Sequence, residues 1–235
     1  MKKTVKAGIT NMLLTMSLAT ASAVTPIPGN GIAKSPLLKN AAVTPVLNST
    51  PADSSINHID TRYQAALVRA KQQADILKAE LKSNNYNADY CFLVDMSLPS
   101  GKNRFFVYNL KTDQIEISSL VSHGLGSNNK ETDEATRFSN DPSSLQTSLG
   151  RYRVGSSYVG KFGLAFKLFG LDKTNDRAFD RAIVLHAHNS IPTTETYPIP
   201  ISVSLGCPTV SPSFLEILNG YIKGSKKPIM MLIYS

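Results

Sequence analysis

The spacing of apolar and polar positions changes character several times along the chain, and each change marks a different kind of segment. Lys2, Lys3 and Lys6 precede a mostly apolar run from Ala7 to Ala19, interrupted by Thr10, Asn11, Thr15 and Ser17, and Ala21-Ser22-Ala23 follows. A positive head, an apolar middle and a small-residue exit, in that order, predict a cleaved signal peptide over 1–23, and hence export to a periplasm or cell envelope. Residues 24–55 lose all periodicity. Pro26, Pro28, Pro36, Pro45 and Pro51 stand there among Ser, Thr, Asn and Ala. Such a composition cannot bury enough surface to offset the entropy of ordering it, so a flexible linker is expected.

A helical period then begins. Tyr63, Leu67, Ala70, Ala74, Leu77 and Leu81 recur at alternating steps of four and three, with Ser83-Asn84-Asn85 as the stop. This is one stripe of an amphipathic helix over 56–85, and so short and alanine-rich a stripe suits packing on the following domain better than a coiled coil. From residue 86 the pattern turns to β-rich runs: Tyr90 to Met96, Arg104 to Leu110, Gln114 to Val121, Arg151 to Val154, Arg181 to His188 and Ile229 to Tyr234. Lys111-Thr112-Asp113 makes a tight turn between the second and third. One later helix is signposted by Ser211 as N-cap and Pro212 in the first turn, with Phe214, Leu215, Leu218 and Ile222 on one face and Gly224 as the stop. Strands joined by Gly-containing loops, with few helices, predict a mainly β fold. The expectation is an antiparallel β-sandwich or half-barrel over 86–235, preceded by the N-terminal helix.

Composition narrows the class. The 235 residues are 42% hydrophobic and 18% charged, enough apolar content for a real core in one domain with extensions. The net charge of +8 comes from scattered basic residues without a recognition motif, so no nucleic-acid partner is implied. Cleavage after Ala23 would take three lysines and no acid from that +8, leaving +5, a charge that suits an anionic envelope. No apolar window is long enough to predict an integral membrane span after signal cleavage. Two cysteines exclude a disulfide-rich scaffold.

Candidate chemistry concentrates in two stretches. Arg181-Ala-Ile-Val-Leu-His186-Ala-His188 is a strand ending in histidines, and Ser204-Leu-Gly206-Cys207 is a tight turn carrying a thiol before the capped helix. A cysteine nucleophile needs a base that favours thiolate, main-chain N–H groups for an oxyanion, and access to solvent. Gly206 lets successive N–H groups converge at Cys207. His186 and His188, two apart on a strand, point to one face, so either can serve as base. The same pair is a zinc-site candidate with His123 or Cys207 as third ligand. Ser204 reads as a turn former, and Cys91, inside an apolar run, as a core residue or a disulfide partner for Cys207.

At these residues the sequence resembles the L,D-transpeptidase (YkuD-like) catalytic domain, most closely its murein L,D-transpeptidase branch. The resemblance rests on Ser204-Leu-Gly206-Cys207 followed by Val210-Ser211-Pro212 and a helix. It extends through Leu93-Val-Asp95, Ser122-His123-Gly124, Phe138-Ser139-Asn140, Ser148-Leu149-Gly150 and Gly170-Leu171-Asp172. The family pattern Ser-His-Gly-Cys followed by an Ile/Val-Arg pair is altered here: Leu205 stands for the His and Pro208-Thr209 for the pair. The resemblance therefore implies the upstream His186 as base, Cys207 as nucleophile, and a catalytic turn that includes Gly206 and Ser204. It implies peptidoglycan stem peptides as substrate, with His188, His123, Arg181 and Arg177 as contacts, a second stem or an envelope protein as acyl acceptor, and neither metal nor organic cofactor. Two other readings accompany it. One is a cysteine hydrolase, an L,D-carboxypeptidase or amidase, on the same substrate. The other is a non-catalytic wall-binding module closed by a Cys91–Cys207 disulfide.

Overall fold

The central strands carry unbroken apolar runs because both of their faces are covered. In the computed structural model, residues 54–83, 85–129 and 134–235 are described, so the signal-peptide expectation and nearly all of the linker lie outside them. The elements are α1 (Ser54–Ser83), β1 (Tyr90–Asp95), β2 (Phe105–Asn109), β3 (Gln114–Ser119), β4 (Gly150–Gly160), β5 (Gly163–Gly170), β6 (Val184–Ala187), β7 (Thr209–Val210), α2 (Pro212–Gly224) and β8 (Met230–Tyr234). They form one eight-stranded sheet in the order β3-β2-β1-β8-β4-β5-β6-β7. Neighbours are antiparallel except β1–β8 and β6–β7, which run parallel.

Alternation along β1 divides the interior in two. Phe92 and Val94 join Phe105, Tyr152, Phe166, Leu185, Val210 and Met231, residues of seven different strands, in the larger core. Phe214 of α2 belongs to the same core and meets the Phe105 ring edge-on at 5.2 Å. Tyr221 of α2 donates to Glu116 of β3, at one edge of the sheet, and α2 also contacts β6 near the opposite edge. The sheet must therefore curl around α2, which is the half-barrel form of the sequence expectation. Ser211 caps α2 by accepting the Phe214 N–H at 3.3 Å, with Pro212 in its first turn.

Cys91 and Leu93 point the other way, into a second core under α1. There Ala66, Ala70, Ala74, Leu77 and Leu81 pack on Phe106, Tyr108, Met230 and Leu232. Alanines along the stripe let the helix approach the sheet closely. A half-buried ion pair ties it to the sheet: Arg69, partly exposed, donates through Nε and Nη2 to Asp95 Oδ2 at 3.0 and 2.7 Å, with Asp95 fully buried. Further pairs, Arg151 with Glu80 and Lys78 with Asp113, sit at the surface and contribute little each. Among the described residues no helix is long and apolar enough to cross a membrane.

Candidate active site

Register explains how residues 21 positions apart in sequence meet. The parallel β6–β7 pairing sets His186 opposite Thr209. Cys207, two residues earlier, thus falls level with Val184, a diagonal neighbour of His186 within reach of a long side chain. The Val184 N–H is a hydrogen-bond donor to the Cys207 thiol, and Sγ lies 3.7 Å from the Ala182 carbonyl oxygen. Ala182 itself has φ +54°, a left-handed conformation uncommon for a residue with a Cβ, so the backbone facing the thiol is strained.

The turn that presents Cys207 is built by Ser204. Its Oγ accepts the Gly206 N–H at 3.1 Å and donates to the Cys207 carbonyl at 2.7 Å. Gly206 has φ +123°, and a Cβ there would stand 2.9 Å from the Gln146 carbonyl oxygen and 3.1 Å from Ile183 Cδ1, so only glycine fits. Because Ser204 uses the Gly206 N–H, the expected pair of oxyanion donors at Gly206 and Cys207 is reduced to the Cys207 N–H. Ser204 has its hydroxyl committed to the turn and is no nucleophile in this arrangement.

His186 is buried, and its protons can be assigned from its partners. Nδ1 lies 3.1 Å from the Ala187 carbonyl oxygen, which can only accept, so Nδ1 carries the hydrogen. Nε2 of the neutral ring then offers its lone pair, and Thr209 Oγ1 lies 3.0 Å from it. Burial holds the imidazole below its ordinary pKa, the Ala187 carbonyl opposing. Burial likewise raises the Cys207 thiol, against the Val184 N–H and the charge of Arg181. Both shifts favour a neutral thiol beside a neutral imidazole over an ion pair.

A cleft of about 660 Å³ opens over these groups, lined among others by Ser122, Phe162, Arg181, Val203 and Leu205. Phe162, in the two-residue turn of the β4–β5 hairpin, stacks on the His186 ring at 5.3 Å and meets His188 edge-on at 5.4 Å. His188 is exposed at the rim, its Nδ1 accepting the Ser190 N–H at 3.1 Å. Arg181 donates to the Ser139 and Gln146 carbonyls at 2.8 and 2.6 Å and to the Ser148 hydroxyl, which pins the 139–148 loop beside the turn. Its Nε is buried without a partner.

Two residues expected in the groove are elsewhere. Arg177 is exposed beside Asp141, 3.9 Å away, and does not line the cleft. His123 is buried, with Arg104 Nη2 donating to its Nδ1 at 2.8 Å, so its side chain faces the interior rather than a substrate. The disulfide is ruled out by topology: Cys91 and Cys207 are free thiols, one in the core under α1 and the other against the core on the opposite face. Among the described residues no three His, Cys, Asp or Glu side chains converge on a metal-binding arrangement. Phe162 and Thr209 also line the cleft, and the sequence gives little sign of either. A lone phenylalanine in a hairpin turn carries no motif, and Thr209 was visible only as a departure from the family pattern.

His123 carries a stability prediction. Burial and the neighbouring Arg104 charge lower its pKa from 6.5 to about 4. Between those two values the unfolded chain binds a proton that the folded chain does not, so stability falls as pH drops from about 6.5 towards 4. Urea unfolding is expected to show a loss of about 3 kcal/mol over that window. Most of this loss should vanish in His123→Asn, whose amide oxygen can still accept from Arg104. An unchanged slope in the variant would assign the acid sensitivity to other groups.

The pattern of the L,D-transpeptidase catalytic domain matches residues 62–234. The chain belongs to that family. Among solved structures, an L,D-transpeptidase from Mycobacterium smegmatis is 11% identical, with 63% of this chain and 59% of that one covered and a TM-score of 0.36. The helical cell shape determining protein Pgp2 from Campylobacter jejuni is 15% identical, with 70% and 56% covered and a TM-score of 0.39. The chain thus spans little more than half the length of these two proteins. No curated protein matches the sequence. The family match begins at residue 62, inside α1, so all but the first turns of the helix lie within the matched region along with the sheet.

Proposed function

We propose that the protein is an exported peptidoglycan L,D-transpeptidase, a cysteine acyltransferase acting in the periplasm or cell envelope. The observation that carries this reading is the shared cleft. Cys207 and His186 lie on adjacent backbone segments, and the Ala187 carbonyl binds Nδ1–H, so that Nε2, which meets the Thr209 hydroxyl at rest, is the nitrogen whose lone pair can take a proton. The register sets His186 closer to the thiol than His188, which favours it as base. In the forward step the Cys207 proton passes to Nε2, and the thiolate attacks the carbonyl between the third and fourth residues of a tetrapeptide stem. The Cys207 N–H stabilises the oxyanion. The C–N bond breaks, the terminal D-Ala leaves with the proton from Nε2, and a thioester remains on Cys207. The amine of a second stem, or of an envelope protein, then attacks the thioester and restores the thiol.

Arg181 supplies positive charge at the cleft wall for a stem carboxylate, and Phe162 and Leu205 give the rim apolar contact surface. The test is product analysis: mature protein incubated with disaccharide-tetrapeptide, followed by mass spectrometry. D-Ala release with a new cross-linked dimer is expected. D-Ala release without dimer, in the presence of excess acceptor amine, would move the protein to the L,D-carboxypeptidases.

A further inference from the structure

Thr209 has a hydroxyl with two partners, and its single hydrogen can go to only one of them. Oγ1 lies 3.0 Å from His186 Nε2 and 3.4 Å from the Cys207 carbonyl oxygen. Its position is rigid: the side chain is buried, its N–H points to Ser122 Oγ at 3.3 Å, and its carbonyl accepts the Ser122 N–H at 2.9 Å. With Nδ1–H directed at Ala187, the neutral ring can only accept at Nε2, so the Thr209 hydroxyl hydrogen must point at it. When Nε2 is protonated the roles reverse. The imidazolium N–H then needs an acceptor, and Oγ1 can provide one only by turning its hydrogen to the Cys207 carbonyl.

We propose that Thr209 is a positioning residue that holds the base in both protonation states by rotation of its hydroxyl. This inference rests on His186 being the base of the proposed reaction. At rest the hydroxyl occupies the Nε2 lone pair. As the S–H bond of Cys207 breaks and an N–H bond forms at Nε2, the hydroxyl hydrogen swings to the Cys207 carbonyl and Oγ1 accepts from the imidazolium. The new hydrogen bond is charge-assisted and therefore stronger than the one it replaces, so Thr209 stabilises the intermediate charge state more than the resting one. The other groups facing His186 cannot take this part. The Phe162 ring stacks on it, and His188 adds a repulsive charge when protonated. Arg181 is turned to the 139–148 loop, and Lys161 of the hairpin turn lies over the Phe162 ring, 5.5 Å from its centroid.

Two variants separate this role from packing: Thr209→Val keeps the shape without the hydroxyl, and Thr209→Ser keeps the hydroxyl without the methyl. The first measurement is the NMR titration midpoint of the His186 imidazole, assigned by its loss in His186→Gln. The second is the rate of iodoacetamide alkylation of Cys207 against pH. Wild type and Thr209→Ser are expected to share a midpoint, and Thr209→Val to titrate about one pH unit lower, a tenfold loss of proton affinity. Alkylation of Thr209→Val at pH 7 should be several-fold slower. A Thr209→Val midpoint equal to wild type, or a Thr209→Ser midpoint that falls with it, overturns the proposal. If Thr209→Val does not fold, Thr209→Ala takes its place with the same two outcomes. The arms fail separately: a wild-type alkylation profile with no acid limb removes His186 as base, whereas the NMR midpoints test the Thr209 contact alone.

Discussion

Cys207→Ala is expected to abolish D-Ala release and cross-linking, with a fall in kcat on the order of 10⁴-fold or more, the scale seen when a covalent nucleophile is removed. The loss should not come from misfolding, because the residue is small and only partly buried, and the turn is held by Ser204 and Gly206 rather than by the thiol. Cys207→Ser should fail nearly as completely. A neutral, burial-weakened imidazole that can deprotonate a thiol during attack is a poor base for a far less acidic hydroxyl. The pH profile of the wild type carries the same information. Since burial depresses His186 and raises Cys207, the base form of the imidazole persists below pH 6.5 and the thiol persists above the usual thiol range. The expected profile of kcat/KM is a broad plateau through neutrality with its acid limb below pH 6.5. A narrow bell centred between a low thiol pKa and a high imidazole pKa would instead indicate a resting ion pair and contradict the assignment.

Leu77→Ala and Leu81→Ala are each expected to destabilise the whole sheet by about 2–5 kcal/mol, although both residues are far in sequence from the cleft. Each is 1% exposed and packs under α1 against the outer face of β1, β2 and β8. The strands they cover also carry, on their other face, the core that seats α2 and the β6–β7 edge. A loss of this size is a large share of the 5–15 kcal/mol that typically separates folded from unfolded states. In urea the transition midpoint should fall with the slope unchanged, and the folded fraction should retain its turnover, since no cleft residue is touched. A shift of only a few tenths of a kcal/mol would mean that α1 leaves the sheet at little cost and is an appendage.

The N-terminal helix and the signposted α2 were legible because each is a local pattern: a stripe at helical spacing, or a cap followed by proline. The strands with covered faces, β1, β2 and β8, were legible for a related reason, since unbroken apolar runs such as Cys91 to Val94 admit few other readings. The strand β5 has no such signal. Leu164-Ala165-Phe166 breaks the alternation, and the segment becomes a strand only through its pairing with β4. The two residues of β7 are too few to carry any period, yet their register with β6 is what brings His186 towards Cys207. The site divides in the same way. Cys207, Gly206 and His186 are legible from turn chemistry and resemblance, and they line or shape one cleft. His123 looked like a groove residue because it sits in a Ser-His-Gly triplet. Only the fold reveals that Arg104 holds it in the interior. Thr209 could not be valued from sequence, because its importance is a pair of distances.

Intact-protein mass spectrometry of the acyl-enzyme tests the central claim most directly. The mature protein is mixed with disaccharide-tetrapeptide without an acceptor amine, quenched in acid, and weighed. The account predicts an adduct equal to the donor minus D-Ala, mapped by proteolysis to Cys207, removed by hydroxylamine as a thioester should be, and absent from Cys207→Ala. D-Ala release with no adduct in rapidly quenched samples, or an adduct that survives in Cys207→Ala, would contradict it.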